Sequence, residues 1–587
     1  MKYRLLRIDL AKKTYGIEKI PSEVIANYLG GKGFAAYYLF REVKPKVNPL
    51  SADNKLMYFL GPLTGLFPGT DRYVVAAKSP LSCTFSDSYA GGWFGSELRK
   101  AGYMGLIFEG KANDLVYLEI EGDKISIKDA RQLRGKSPEE VDRALPGFRV
   151  AAIGLAGENL VKYAVIISNA SKQGRAGVAG RGGLGAVMGS KNLKAIAIKA
   201  GQRNKEYLEL YEKTKELRKN NNRYLRENIV PEMGIGGNLP LVDLSSQVKV
   251  LPTRNFTRGT IDEYTEINEE TIKKIKVKKD TCYLCPAACG VRVNVKTGPY
   301  AGVELDRIEY ETVAMCGPNC GHNALGSIVN FNRLCNEYGI DTISTGNIIA
   351  FVMECAEKGL VDYKIKFGDA EGQTKLIEST SKREGIGDLL AEGVARVSEE
   401  LGKATESFAM HVKGLELPGY DPRGSIGMAL CYATADRGGC HMRAWSIGVE
   451  AFGGLDPFSS KGKAGVVKNL QDTSSAMWTL ITCDNLLFSI EQGVEMLKSV
   501  GFNMDQQKML EVGERIYNLT RLFNVRESFT RKDDCIPQRL YETREDTQWK
   551  ITREDFEKML DEYYKLRNWD KNGKPSDEIL KKLGIER

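Results

Sequence analysis

Three cysteines, Cys282, Cys285 and Cys289, stand together in the run TCYLCPAACG. Thiolates at CxxCxxxC spacing suit one side of an iron–sulfur cluster, so redox chemistry is the first expectation. A four-iron, four-sulfur (4Fe-4S) cluster takes a fourth thiolate. The chain has twelve cysteines, and the remaining nine include Cys483, in LITCDNLLF, which closes the site if that segment folds back. Spacing alone does not choose among the nine. The rival reading is a zinc ribbon, with Cys282 and Cys285 as one knuckle and Cys316 and Cys320 as the other, which would make the protein a zinc-stabilised binding module. Ribbons prefer a second CxxC, and Cys289 would be left over.

Acid–base candidates are few. The three histidines, His322, His411 and His441, are too scattered for a multi-histidine metal centre. His441, in DRGGCHMR, sits among Gly438, Gly439, Cys440 and Arg443, the setting of a site loop, although a satisfied structural histidine fits the same pattern. Glu311, in EYETVAMCGPNC, opens a predicted helix, where acidic residues usually cap or face solvent. Cys316 and Cys320 follow it closely, and each is either a soft-metal ligand or a buried free thiol. In GRAGVAGRGGLGAVMGSKN, Gly180, Gly182 and Gly185 satisfy GxGxxG, but the preceding segment is polar and the following helix barely lasts two turns before Gly189, which argues against a dinucleotide site. Gly189-Ser190-Lys191 is not the GK[ST] of a Walker loop. What remains is a glycine-rich backbone with Arg175 and Arg181 nearby, suited either to phosphate groups or to a tight packing turn.

The elements that must position these residues change character along the chain. Residues 1–200 carry short apolar runs such as YRLLRIDL, KLMYFLG, RYVVAAK and KAIAIKA, bounded by Gly, Pro or Ser, and LVYLEIEGDKISIKD predicts a hairpin around Gly122 and Asp123. After Gly201 the period becomes 3.6 residues, starting with KEYLELYEKTKELRKNNNRYLREN. GNIIAFVMECAEKGL predicts a helix with Ser344 and Thr345 as caps, Gly359 as its stop and Cys355 in the core. The expected fold class is α+β. A β-rich domain over 1–200 precedes two mainly helical domains, 201–414 with the cysteine motif and 415–587 with His441 and Cys483.

With 587 residues, 42% of them hydrophobic, the chain is long enough for several domains around large cores. Its start, MKYRLLRIDLAKKT, lacks an apolar signal region, so the cysteines are expected as reduced thiols in the cytoplasm. No stretch approaches the ~18 apolar residues of a membrane span. The net charge of +8 raises the question of nucleic acid. The densest basic run, TIKKIKVKKD, has no aromatics to stack on bases, and no nucleic-acid partner is expected. Lys273, Lys274, Lys276, Lys278 and Lys279 directly precede the cysteine motif, as a solvated face or as a place where an acidic electron-transfer protein docks.

Taken together, AGYMGLIFEGKA, IGLAGENLVKYAVI, AGRGGLGAVMGSKNLKAIAI, CYLCPAAC, NEYGIDTISTGN, ELPGYDPRG, YATADRGGCH and GERIYNLTRLFN, in that order, resemble the tungsten-containing aldehyde:ferredoxin oxidoreductase family over nearly the whole chain. The resemblance implies an N-terminal β domain forming a base for two pterin dithiolene ligands, with two helical domains covering a buried tungsten or molybdenum. It further implies a Mg2+ ion bridging the pterin phosphates. Cys282, Cys285, Cys289 and Cys483 match the 4Fe-4S ligands, and Arg72, in TDRYVV, matches the arginine between cluster and pterin. Gly91, Gly180 and Arg181 match phosphate-holding positions, and Asn336 and Asp341 fall on a pterin motif. Glu311 and His441 match the acid–base groups beside the metal. The activity implied is oxidation of a small aldehyde to a carboxylic acid, with electrons passed singly through the cluster to ferredoxin or an iron–sulfur subunit.

The chain departs from the family at several positions. WTLITC stands for the second pterin motif, so Trp478 replaces an acidic residue and Cys483 is retained. Gly177 takes the place of an arginine, with Arg175 as a shifted substitute. Asn330 and Arg333 replace the ExxH that holds a bridging iron in some members, so that iron is not expected. Cys316 replaces an apolar residue, and the related tungsten subunit of benzoyl-CoA reductase has a cysteine on its metal. The alternative reading is therefore a reductase of that type with Cys316 as a metal ligand or neighbour.

Overall fold

The structure, a computed structural model, describes residues 3–170, 176–201, 204–233 and 237–586; Arg175 lies outside the described residues. The first sheet contains β1 (Arg4–Asp9), β2 (Thr14–Lys19), β3 (Leu56–Phe59), β4 (Tyr73–Lys78), β5 (Phe85–Ala90) and β6 (Gly105–Glu109), in the order β2-β1-β6-β3-β4-β5. The second contains β7 (Val116–Glu121), β8 (Lys124–Asp129), β9 (Arg149–Ala152), β10 (Ile166–Ser168), β11 (Gly177–Ala179) and β12 (Leu193–Lys199), in the order β11-β10-β9-β12-β7-β8. β7 and β8 form the predicted hairpin, closed by the pair Glu121 and Lys124. Beyond residue 200 the chain is mainly helical, so the α+β class is what the structure shows.

β3 and β4 are buried along their whole length, as the apolar runs LMYF and YVVAA require of strands covered on both faces, and Lys78, which ends β4, is paired with Glu527 at 2.6 Å. Their cover comes from both ends of the chain: Phe34, Phe59, Leu480 and Leu519 belong to one core. A second core joins Tyr310 and Val313 to Met410, Tyr432 and Tyr563.

Close glycine contacts fix how the distant C-terminal segment meets the first sheet. A Cβ on Gly31, whose φ is +43°, would lie 2.2 Å from the Trp478 carbonyl oxygen, and one on Gly61 would lie 2.4 Å from that of Leu480. Only glycine permits this backbone-to-backbone approach. The segment from Trp478 to Cys483 is thereby held against the helix start at Gly31 and the loop between β3 and β4, where the Cys483 N–H donates to the Gly69 carbonyl at 2.8 Å.

One expected cap is corrected. The helix Thr342–Glu357 begins before Ser344 and Thr345, and its N-cap is Asp341, whose carboxylate accepts from the N–H groups of Ile343 and Ser344 at 3.2 Å each. A carboxylate reaches two orphan donors at once and favours the positive end of the helix. Ser344 instead donates from inside the helix to Glu416 at 2.7 Å. Gly359, at φ +68°, follows the helix end, and Cys355 is fully buried.

Candidate active site and cluster site

The antiparallel pair β13 (Lys276–Asp280) and β14 (Gly290–Asn294) closes with Asp280 opposite Gly290, and the loop between them carries Cys282, Cys285 and Cys289. Leu284 and Ala288 take positive φ, +61° and +46°, folding the loop back on itself. Thr281 braces it by donating its hydroxyl to the Cys285 carbonyl at 2.6 Å. The three cysteines and Cys483 line one small chamber with Gly69, Asp71, Arg72 and Leu486. All four thiols are half-buried and none is in a disulfide. The Cys282 Sγ accepts from the Gly92 N–H at 3.2 Å, and the Cys483 Sγ from Arg72 Nη2 at 3.3 Å. Burial pushes the Cys285 thiol up, with Asp71 and Cys483 adding to it.

Cys316 and Cys320, the second knuckle of the zinc-ribbon alternative, lie elsewhere. Both are fully buried in a core with Cys335, where Cys316 Sγ sits 3.5 Å from the Thr342 carbonyl oxygen and Cys320 Sγ 3.4 Å from those of Met315 and Gly346. Cys316 ends the helix Tyr310–Cys316 and is not among the residues lining the large cavity described next, whereas Thr312, on the same helix, is.

That cavity, of about 620 Å³, adjoins the cysteine chamber, and Arg72 lines both. Arg72 is held in the partition by Asp484, Nη1 to Oδ2 at 2.8 Å. Gly180, Arg181, Asn336 and Asp341 line the cavity, as do Glu311 and His441. Gly91 lies beside the cysteines instead: a Cβ there would meet Cys282 Sγ at 3.2 Å. Arg181 is buried, with Nη1 and Nη2 donating to the carbonyls of Gly439 and Glu416 at 3.2 and 2.7 Å and Nε 3.4 Å from Asp341 Oδ2.

Glu311 and His441 meet inside the cavity, with His441 Nε2 at 3.5 Å from Glu311 Oε1. The other carboxylate oxygen accepts from the Gly419 N–H at 2.8 Å. Burial pushes the Glu311 carboxyl up to about 8, against the stabilising Gly419 bond. The His441 imidazole is pushed well below its ordinary value by burial, reinforced by Arg181, Arg437 and Arg443. At neutral pH the resting pair is a carboxylic acid beside a neutral imidazole. Glu311 Oε1, His441 Nδ1 and Arg443 Nη1 are buried without a hydrogen-bond partner among the described residues.

Behind the pair lies a buried charge network of which the sequence pattern shows only the DRGGCHMR loop. Lys32 Nζ contacts Asp87 at 3.1 Å and Asp436 at 2.6 Å; Arg443 pairs with Asp87 and, at 2.6 Å, with Asp436. Burial opposes ionisation of Asp87, but Arg443, Lys32 and Arg437 outweigh it and hold the carboxyl far below the usual range. Arg437 also donates to Cys440 Sγ from Nε at 3.2 Å and Nη2 at 3.0 Å. No local motif marks Asp87, in β5, as a partner; only the fold brings it under the loop.

The departures have structural partners. Trp478 lines the cavity, packs its ring 4.9 Å from that of Tyr89, and donates Nε1–H to Asp484 at 2.8 Å. A Cβ on Gly177 would lie 2.2 Å from the Gly91 carbonyl oxygen, so no larger residue fits there without moving the backbone. Arg333 bonds Asn330 Oδ1 at 3.2 Å within its own helix. The other two histidines are satisfied structurally: His322 Nε2 lies 3.0 Å from Gln373 Oε1, and His411 Nδ1 accepts from the Gly414 N–H at 3.3 Å. No described helix is long and apolar enough to cross a membrane.

The chain matches the sequence model of the N-terminal domain of aldehyde ferredoxin oxidoreductase over residues 5–200 and that of its domains 2 and 3 over residues 216–585. It is 37% identical to a tungsten-containing aldehyde ferredoxin oxidoreductase of Pyrococcus abyssi, with 99% of this chain and 98% of that protein covered. It is 38% identical to the Pyrococcus furiosus protein of the same name over the same shares. Among solved structures, the active-site complex BamBC of benzoyl coenzyme A reductase, bound to 1,5-dienoyl-CoA, superposes with a TM-score of 0.83 at 27% identity, covering 100% of this chain and 98% of that one.

Proposed function

Since the chain belongs to the aldehyde ferredoxin oxidoreductase family, we propose that it oxidises aldehydes to carboxylic acids at a tungsten bis-pterin centre in the large cavity. Cys282, Cys285, Cys289 and Cys483 would hold a 4Fe-4S cluster, which would supply one-electron transfer to ferredoxin or a ferredoxin-like subunit. The division of the chain near residues 200 and 414 belongs to this reading. The observation that carries it is the buried pair Glu311 and His441, 3.5 Å apart in a cavity that shares Arg72 with the cysteine chamber.

The residues fit such a group. Arg72, Arg181, Arg437 and Arg443 line the cavity and suit anionic phosphates and dithiolenes. Bare glycine backbone at Gly180 leaves room for close approach, and Asn336 and Asp341 add polar contacts. Asp484, fixed by Trp478 and Arg72, supplies a carboxylate near the position where Trp478 removes one. Mg2+ accompanying the cofactor's phosphates would belong to the same proposal. Bound there, the centre supplies a two-electron acceptor and Lewis acidity.

The protein's own part is proton handling and positioning. Oxidation of RCHO with H2O to RCOOH releases two protons and two electrons. Glu311, as the carboxylate, takes a proton from the attacking water. Once protonated, Glu311 directs its O–H toward His441 Nε2, which selects the imidazole tautomer with the proton on Nδ1. That N–H is then a donor for the carbonyl oxygen, where negative charge develops. The Gly419 N–H holds the carboxyl in place throughout. Elemental analysis of anaerobically purified protein tests the assignment: about one tungsten and about four irons per chain are expected, and zinc without either would refute it.

A further inference from the structure

We propose that an open groove between the helix Lys215–Tyr224 and the tip of the cysteine loop is the docking surface for a small acidic one-electron carrier of the ferredoxin class, an inference that rests on the redox reading above. The groove, of about 420 Å³, is walled by Arg218, Lys219, Arg223 and Arg226, against a single acid, Glu227. Its inner edge is apolar, formed by Pro68 and Leu284. Leu284 stands between Cys282 and Cys285, and Pro68 precedes Gly69, which lines the cysteine chamber. A partner seated in the groove thus touches the same loop that carries the cluster ligands.

The construction suits a transient contact, in which a charged rim steers the encounter and a small apolar centre is covered on docking. Arg218 is fixed: it donates to the carbonyls of Leu66 and Tyr211 at 3.3 and 2.9 Å and lies 3.5 Å from the centre of the Tyr211 ring. Arg223 and Arg226 are exposed and project charge into solvent, while Lys219, also exposed, is paired with Glu216 at 2.9 Å. The lysine run offers a second basic surface, but Lys278 is already paired with Asp280 at 3.2 Å and Lys273 lies 3.5 Å from Glu270. The groove combines net positive charge, from Arg218, Arg223 and Arg226 against Glu227, with direct contact to the loop tip at Leu284. With a cluster held by the loop cysteines, each docking would remove one electron, so two dockings would be needed for one aldehyde oxidised.

The test is binding of an oxidised, acidic bacterial-type ferredoxin to the metal-loaded enzyme, by titration calorimetry at low salt, which requires no turnover. Arg223→Glu with Arg226→Glu is expected to weaken binding about tenfold or more, and the milder Arg223→Gln with Arg226→Gln about threefold. Lys278→Glu with Lys279→Glu is expected to change it less than about twofold. Salt is expected to weaken the wild-type complex and to affect the Arg223→Glu with Arg226→Glu complex much less. Wild-type affinity in both groove variants, an equal loss in the lysine variant, or no binding by the wild type would overturn the proposal. Failure of the redox reading shows separately, as absence of iron and tungsten from the same preparation.

Discussion

Replacing Glu311 by Gln keeps the side chain's shape and its bond from the Gly419 N–H but removes the titrating carboxyl. Burial raises that carboxyl to about 8, so the ionised base is the minor form at neutral pH. At pH 7, one pH unit below, about a tenth of Glu311 is ionised, and the rate should stand near a tenth of its plateau. The sign is fixed by the direction of the shift. Base activity is present above about 8 and is lost as pH falls, roughly tenfold per unit. His441 adds no second limb above neutrality, because burial and the three arginines keep it uncharged there. Loss of a general base costs about 10²- to 10⁴-fold in kcat. The assay is anaerobic aldehyde oxidation with saturating dye acceptor between pH 6 and 9, with metal content measured on each preparation. Wild type should show the rising limb; Glu311→Gln should be slow and flat with its metals intact. A rising limb that survives unchanged in the variant, or a variant of wild-type rate, would refute the base assignment.

Three other perturbations probe the frame around the pair. Cys483→Ser should lower iron from about four per chain and abolish the reduced-cluster spectroscopic signal; unchanged iron would mean that another group closes the cluster. Lys32→Met leaves Asp87 and Asp436 with one buried cation fewer and should cost about 3–5 kcal/mol, seen as a lower thermal midpoint at matched scan rate; an unchanged midpoint would show that the network is not structural. Gly177→Arg, which restores the family's residue, must displace the Gly91 carbonyl. It should destabilise by about 1–3 kcal/mol, and a variant as stable as wild type with full cofactor content would show that the backbone yields freely.

Local patterns exposed the parts of this molecule, and long-range packing determined how they meet. CxxCxxxC is legible because its ligands share one loop. Cys483 joins that loop through glycines at 31 and 61 that allow the Trp478–Cys483 segment close against the backbone beside the first sheet, a contact with no local signature. The β-to-helix change near residue 200 is legible as short apolar runs bounded by Gly, Pro or Ser giving way to a 3.6-residue period. Glu311 looked like an ordinary helix-opening acid until the fold buried it against His441, 130 residues away in sequence. Asp341 was readable as a helix cap in principle, yet the serine and threonine beyond it gave the stronger cap pattern. Asp87 and Lys32 were invisible as site support because each belongs to an unremarkable strand or helix start. The basic groove has no local signature, because Arg218 and Arg223 are spread over a helix that reads as a solvated surface and Arg226 follows it, whereas the lysine run is dense in sequence.

The most direct test of the central claim is the stoichiometry of product and reduced carrier in one anaerobic reaction of the purified enzyme with an aldehyde and oxidised ferredoxin. The account predicts one carboxylic acid formed for every two ferredoxins reduced, because a two-electron oxidation leaves through a one-electron cluster. No acid formed by metal-replete enzyme, whether the acceptor is ferredoxin or a dye, would contradict it.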